Sequence, residues 1–230
     1  MRSQNPWLPA FAALAFAVLF LVSGFVVPKP PDIAATGVQV QLYFADHSGA
    51  LTTSGYLATV AGIPFLVAIA FVRRRLTTLG GWTADTFFGG ALVLAATASA
   101  SLLVQLGLAL HASDVDPGTA RTLLDVQRFL APAVTGAVFA MAVATAVASL
   151  RYDALPRWVG LASAAYAVYE VVESITIFGD HGAFAPGDTI NTIGTLAFLP
   201  WFVAVAAGLS RPGQDDARGA LSSKGGLPGP

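Results

Sequence analysis

The stretch WVGLASAAYAVYEVVESITIF, residues 158–178, decides how the rest of the chain reads. Its 21 residues would span about 31 Å as an α-helix at ~1.5 Å per residue, enough to cross a hydrocarbon core of ~30 Å. Two ionisable side chains, Glu170 and Glu173, interrupt it. Residues three apart lie about 60° apart around a helix, so the two carboxyls share a face. Ser163, Tyr166, Glu170, Glu173 and Ser174 fall in one stripe, and Ala164, Val168, Val171, Ile175 and Phe178 fall opposite. This pattern predicts lipid on the Val/Ile/Phe side and protein on the Tyr/Glu side.

An ionised carboxylate at that depth costs about 2.5–3.5 kcal/mol on insertion scales. A second one nearby raises the cost, because like charges disfavour each other's ionisation. Protonation, a paired cation or penetrating water relieves it, and proton relays, ion pathways and polar pockets use all three. The plainer alternative is a polar contact that only packs two helices together.

Composition supports the membrane reading. The 230 residues are 55% hydrophobic and only 11% charged, against about 25% charged in a soluble domain. A net charge of −1 without a basic stripe argues against a nucleic-acid partner. With no cysteine, disulfides, thiolate metal sites and cysteine nucleophiles are excluded. The only lysines, Lys29 and Lys224, lie outside every predicted span, which excludes an intramembrane retinal Schiff base. No Gly-x-Ser-x-Gly elbow or phosphate loop occurs.

Working outward, five further spans are expected at about 7–27, 51–72, 86–110, 127–150 and 189–209, with the central one at 158–178. The first reads as a retained anchor, because Pro28-Lys29-Pro30-Pro31 follows without a small-x-small cleavage site. A surface helix from about Ile33 to Asp46 is expected between the first two spans, with Tyr43 and Phe44 at headgroup level. Residues 111–122 read as a polar loop. Residues 211–230, rich in Gly, Pro, Ser and charge, read as a disordered cytoplasmic tail. Gly90, Thr97, Ser101 and Gln105 form a seam of small and polar residues suited to close helix approach, toward a second copy, a partner membrane subunit or the chain's own helices.

Charge sets the expected orientation. With the N-terminus inside, the inner segments carry Arg2, Arg73, Arg74, Arg75, Arg151, Arg157, Arg211, Arg218 and Lys224. The outer side carries only Lys29, Arg121 and Arg128, nine against three. Both termini are then cytoplasmic, and the glutamates lie in the outer half of the bilayer. Arg128, Asn191, Thr195 and Gln105 sit at the same level, so an outer-leaflet polar pocket is expected from Glu170, Glu173, Arg128, Tyr166, Asn191 and Gln105. Arg128 either pairs with Glu173, leaving Glu170 deeper and neutral, or pairs locally with Asp125 or reaches lipid phosphate. His47, His111 and His181 all fall outside among seven aspartates, and are the candidates for a divalent metal, without any recognised ligand spacing. No cofactor is specified.

Tyr43-Phe44-Ala45-Asp46-His47 before a span, Arg73-Arg74-Arg75-Leu76 after it, and Leu155-Pro156-Arg157-Trp158 opening another resemble a group of six-span bacterial membrane proteins common in actinobacteria. The resemblance covers most of residues 7–210 and implies topology and a plasma (inner) membrane location; it carries no activity and no site residues. The expected fold is all-α, a six-helix transmembrane bundle with a short interfacial helix. The expected function is non-enzymatic binding, or proton-linked movement, of a small solute through the polar pocket. A metal-dependent lipid enzyme and an accessory subunit of a larger complex are the alternatives.

Overall fold

The computed structural model describes residues 5–77, 81–179 and 181–209. The expected tail at 211–230 lies outside the described residues. Among the described residues the fold is all-helical, and six helices are long and apolar enough to cross a membrane. They are α1 (Leu8–Val26), α3 (Ser48–Thr77), α4 (Gly81–His111), α5 (Pro117–Tyr152), α6 (Arg157–Ser174, continued by a 3-10 turn Ile175–Phe178) and α7 (Thr189–Gly208). The seventh α-helix, α2 (Gly37–Asp46), is short and lies between α1 and α3. All six expected spans are present.

The boundaries that shift do so for local reasons. α5 begins at Pro117, inside what reads as a loop, because Asp116 caps it: its Oδ1 accepts from the N–H groups of Gly118 and Thr119 at 3.0 Å each. Pro117 occupies the first turn, where a missing N–H costs nothing. α2 starts at Gly37 rather than near Ile33, since Thr36 and Gln39 close a capping box there. At its other end α5 stops at Asp153, which takes a left-handed conformation (φ 49°). A Cβ on Gly160 would lie 2.7 Å from Ser149 Oγ, so that glycine lets α6 pack tightly on the end of α5.

Helix neighbours run in a ring, α1–α3–α4–α5–α6–α7 and back to α1. The middle of the ring is filled by aromatic rings rather than left open. Phe16 lies 5.0 Å from Phe65 and 5.7 Å from Phe202 between centroids, and Phe198, Trp201 and Tyr166 extend the cluster. Tilted and edge-on contacts of this kind suit the ring quadrupoles and add dispersion where lipid supplies no hydrophobic drive. Large apolar residues such as Phe11, Phe25, Leu103, Val168 and Phe178 face outward, as lipid-facing positions should.

A proline-rich strap, residues 27–36, joins α1 to α2 across one end of the ring. Two arginines of α5 hold it. Arg121 donates to the carbonyls of Ile33 and Ala35, and Arg128 donates to that of Pro31. α2 is fixed beside it by Gln41, whose Nε2 donates to Ala112 O at 2.9 Å and Val115 O at 2.8 Å. Tyr43 adds a hydroxyl bond to Pro28 O at 2.7 Å.

Candidate functional site

The candidate residues fall into two groups rather than one pocket. The first is the α6–α7 contact. Both glutamates are buried, Glu170 at 3% exposure and Glu173 at 6%, so the stripe on the central span faces protein. Val168, Val171, Ile175 and Phe178 face outward. Ser174 departs from the expected stripe and is exposed, as is Thr195 on α7.

Polar bonds stitch the two helices along their length. Trp201 Nε1 donates to Ser163 Oγ at 2.9 Å. The Tyr166 hydroxyl donates to Gly194 O at 3.1 Å, and the Tyr169 hydroxyl to Ile190 O at 2.6 Å. Asn191 Nδ2 donates to Glu173 Oε1 at 2.8 Å. In lipid such bonds matter because no water competes for the same groups, although each is worth only about 0.6–2 kcal/mol.

Glu173 reaches this contact because α7 has no side chain opposite it. A Cβ on Gly194 would lie 1.8 Å from Glu173 Oε2. That oxygen is buried and has no hydrogen-bond partner. Glu170 sits one turn away on the same face, buried beside Tyr166, whose hydroxyl proton goes to Gly194 O.

The second group lines a cavity of about 560 Å³ at the strap end of the bundle. Its walls come from the strap, from Phe44 of α2, Leu51 and Ser54 of α3, Ser101 and Gln105 of α4, Leu124, Gln127, Arg128 and Ala131 of α5, and the segment 185–188 before α7. That volume sits within the range of small-molecule sites, about 300–1,000 Å³. Gln105 and Arg128, two of the six residues expected at a polar pocket, lie here. Glu170, Glu173, Tyr166 and Asn191 do not line it.

Arg128 does not pair with Glu173. Its Nη1 lies 3.7 Å from Asp125 Oδ1, and its Nη2 is engaged by the strap carbonyl of Pro31. The local alternative holds because Asp125 is one turn back on the same helix and already carries Arg121, at 2.9 Å. Gln105 donates through Nε2 to Leu51 O at 3.4 Å and accepts from Gln127 Nε2 at 3.3 Å. The seam on α4 thus divides: Gly90 packs against Ala137 and Met141 of α5, whereas Ser101 and Gln105 face the cavity.

Two features were not legible in the sequence. Gln127 joins the cavity wall, and it could have been suspected only as a polar residue one position from Arg128. Asn191 links the two groups, since its Oδ1 accepts from the Gly187 N–H at 2.8 Å and Gly187 lines the cavity. The histidines stay apart. His47 Nδ1 lies 2.8 Å from Tyr43 O, His111 Nδ1 lies 3.5 Å from Asp114, and His181 is exposed in a different loop. Among the described residues no three His, Asp or Glu side chains converge as metal ligands would.

Comparison with known proteins adds nothing to this geometry: no known family, no curated protein and no solved structure matches the chain.

Proposed function

We propose that this chain is a multi-pass protein of the bacterial plasma membrane, with both termini cytoplasmic, that binds a small solute in the cavity at its outer end. The observation that carries the reading is a cavity of about 560 Å³ walled by Gln105, Gln127, Arg128 and Ser101 in a protein otherwise as apolar as lipid requires. Polar groups at membrane depth are costly, so a set of them around a space is best accounted for by something that uses them. The orientation rests on the arginines and lysines, nine positive charges against three. The test is a cavity-filling substitution. Ala131→Phe, projecting from α5 into the space, should abolish the thermal stabilisation that a bound solute gives the parent. Equal stabilisation of both proteins would overturn the reading.

A second reading, proton-linked movement of that solute, is favoured by one specific observation. Glu173 connects through Asn191 to Gly187 at the cavity rim. Glu173→Gln in liposomes should then retain solute binding and lose the dependence of uptake on an imposed pH gradient. Unchanged coupling would leave binding alone.

A further inference from the structure

The walls of the cavity say what kind of molecule fits it, if it is a binding site as proposed above. The charges that line it cancel. Lys29 and Arg128 face Asp32 and Asp188, two against two. Lys29 already sits 3.8 Å from Asp32, and Arg128 sits 3.7 Å from Asp125 just behind the wall. With no net charge on its walls, the space offers an ion of either sign little to offset the water it leaves behind. An uncharged molecule meets no such barrier.

The hydrogen-bonding groups narrow the class further. Leu51 O can only accept, so Gln105 must turn its amide nitrogen toward it. Gln105 then shows its oxygen to Gln127 Nε2, and Gln127 Oε1 is left over. That oxygen is buried and makes no hydrogen bond, and neither does Arg128 Nη1 on the next residue. The wall therefore holds one unused acceptor, while Arg128 Nη1 is turned to Asp125 Oδ1 at 3.7 Å. A hydroxyl answers that acceptor by donating to Gln127 Oε1. The oxygen is covered by its neighbours, so a bound hydroxyl has to displace that cover. Val27, Phe44, Leu51 and Leu124 give the wall an apolar part that suits a hydrocarbon body.

We infer that the cavity takes an uncharged, alcohol-headed amphiphile, its hydroxyl on Gln127 Oε1 and its chain against Phe44 and Leu124. The absence of cysteine gives a clean test. Ser101→Cys places a single thiol in the cavity wall, in the full chain held in nanodiscs. Its rate of labelling by a small water-soluble thiol reagent is followed while n-octanol, octanoate or octylammonium is added at matched bilayer occupancy, or glycerol is added to the aqueous phase. Thermal stabilisation of the parent protein is measured in parallel, so the result does not depend on the new thiol being reactive. Octanol should protect and stabilise at about tenfold lower occupancy than either ion, a ratio of the size expected from one hydrogen bond. In Gln127→Leu that preference should vanish while octanol still enters. Equal or better protection by octanoate or octylammonium overturns the inference but leaves a binding cavity. Protection by glycerol alone, and by no octyl compound, overturns the amphiphile and keeps the hydroxyl. No effect of any probe on either measurement overturns the inference and the reading it rests on together.

Discussion

Asn191 grips two segments at once: its Nδ2 donates to Glu173 Oε1 at 2.8 Å, and its Oδ1 accepts from the Gly187 N–H at 2.8 Å. The first bond ties α7 to α6, and the second ties α7 to the rim of the cavity. Asn191 is 4% exposed, so neither bond can be replaced by water without opening the contact. Asn191→Ala should cost about 1–3 kcal/mol, the range for stranding a buried hydrogen-bonding group. Hydrogen exchange at the Gly187 amide should speed up in the same variant. Unchanged exchange there would show that the rim is held by something else.

Gly194 makes the Glu173 position available. A methyl group on it would meet Glu173 Oε2 at 1.8 Å, far inside contact distance. Gly194→Ala should destabilise the protein by about 1–3 kcal/mol, as overpacking does. Adding Glu173→Ala should recover part of that loss, because the clashing carboxyl is gone. Strict additivity of the two changes, measured by unfolding in detergent, would refute the contact.

The Tyr166 hydroxyl donates to Gly194 O at 3.1 Å, one turn from Glu170. Tyr166→Phe strands that carbonyl and should cost about 1–3 kcal/mol. Glu170→Gln leaves the bond in place and should unfold in detergent closer to the parent than Tyr166→Phe does. A Tyr166→Phe protein as stable as the parent would show that the bond does not hold α6 to α7.

Arg121 is the main tie between α5 and the strap, through Ile33 O and Ala35 O. Arg121→Ala should free residues 27–36 to proteolysis while leaving the six-helix core intact. The check is limited digestion of the purified protein, read by the mass of the fragments. A strap as resistant as in the parent would mean that Gln41, Tyr43 and Arg128 suffice.

Asp116 sits outside the spans, at the start of α5, and its carboxyl is held below the usual range. The Thr119 hydroxyl does most of this, followed by the N–H of Thr119 and then that of Gly118. A carboxyl with a lowered folded-state pKa contributes stability that is full above its unfolded pKa and lost as pH falls through the folded one. Thermal unfolding followed from roughly pH 5 to roughly pH 2 should show Asp116→Asn losing less stability than the parent. Parallel curves would mean that the cap does not titrate in that window.

The six crossings and the inward-facing stripe of α6 are written in the sequence. Both follow from local quantities, the length of an apolar run and the 3.6-residue period that puts Tyr166, Glu170 and Glu173 on one side. Even so, Asp116 and Pro117 started α5 earlier than hydropathy suggests, since a cap acts through individual hydrogen bonds. Only the tertiary structure decided what those side chains meet. Arg128 could have turned to Glu173 or to Asp125, and its bond to Pro31, 97 residues away, depends on how the strap crosses the bundle. The single expected pocket became a cavity beside a packed contact because Gly194 brings α7 within reach of Glu173. Hydropathy and period place a residue on a helix face, but which face lies opposite is set by the packing of every helix in the ring, and no local pattern encodes that.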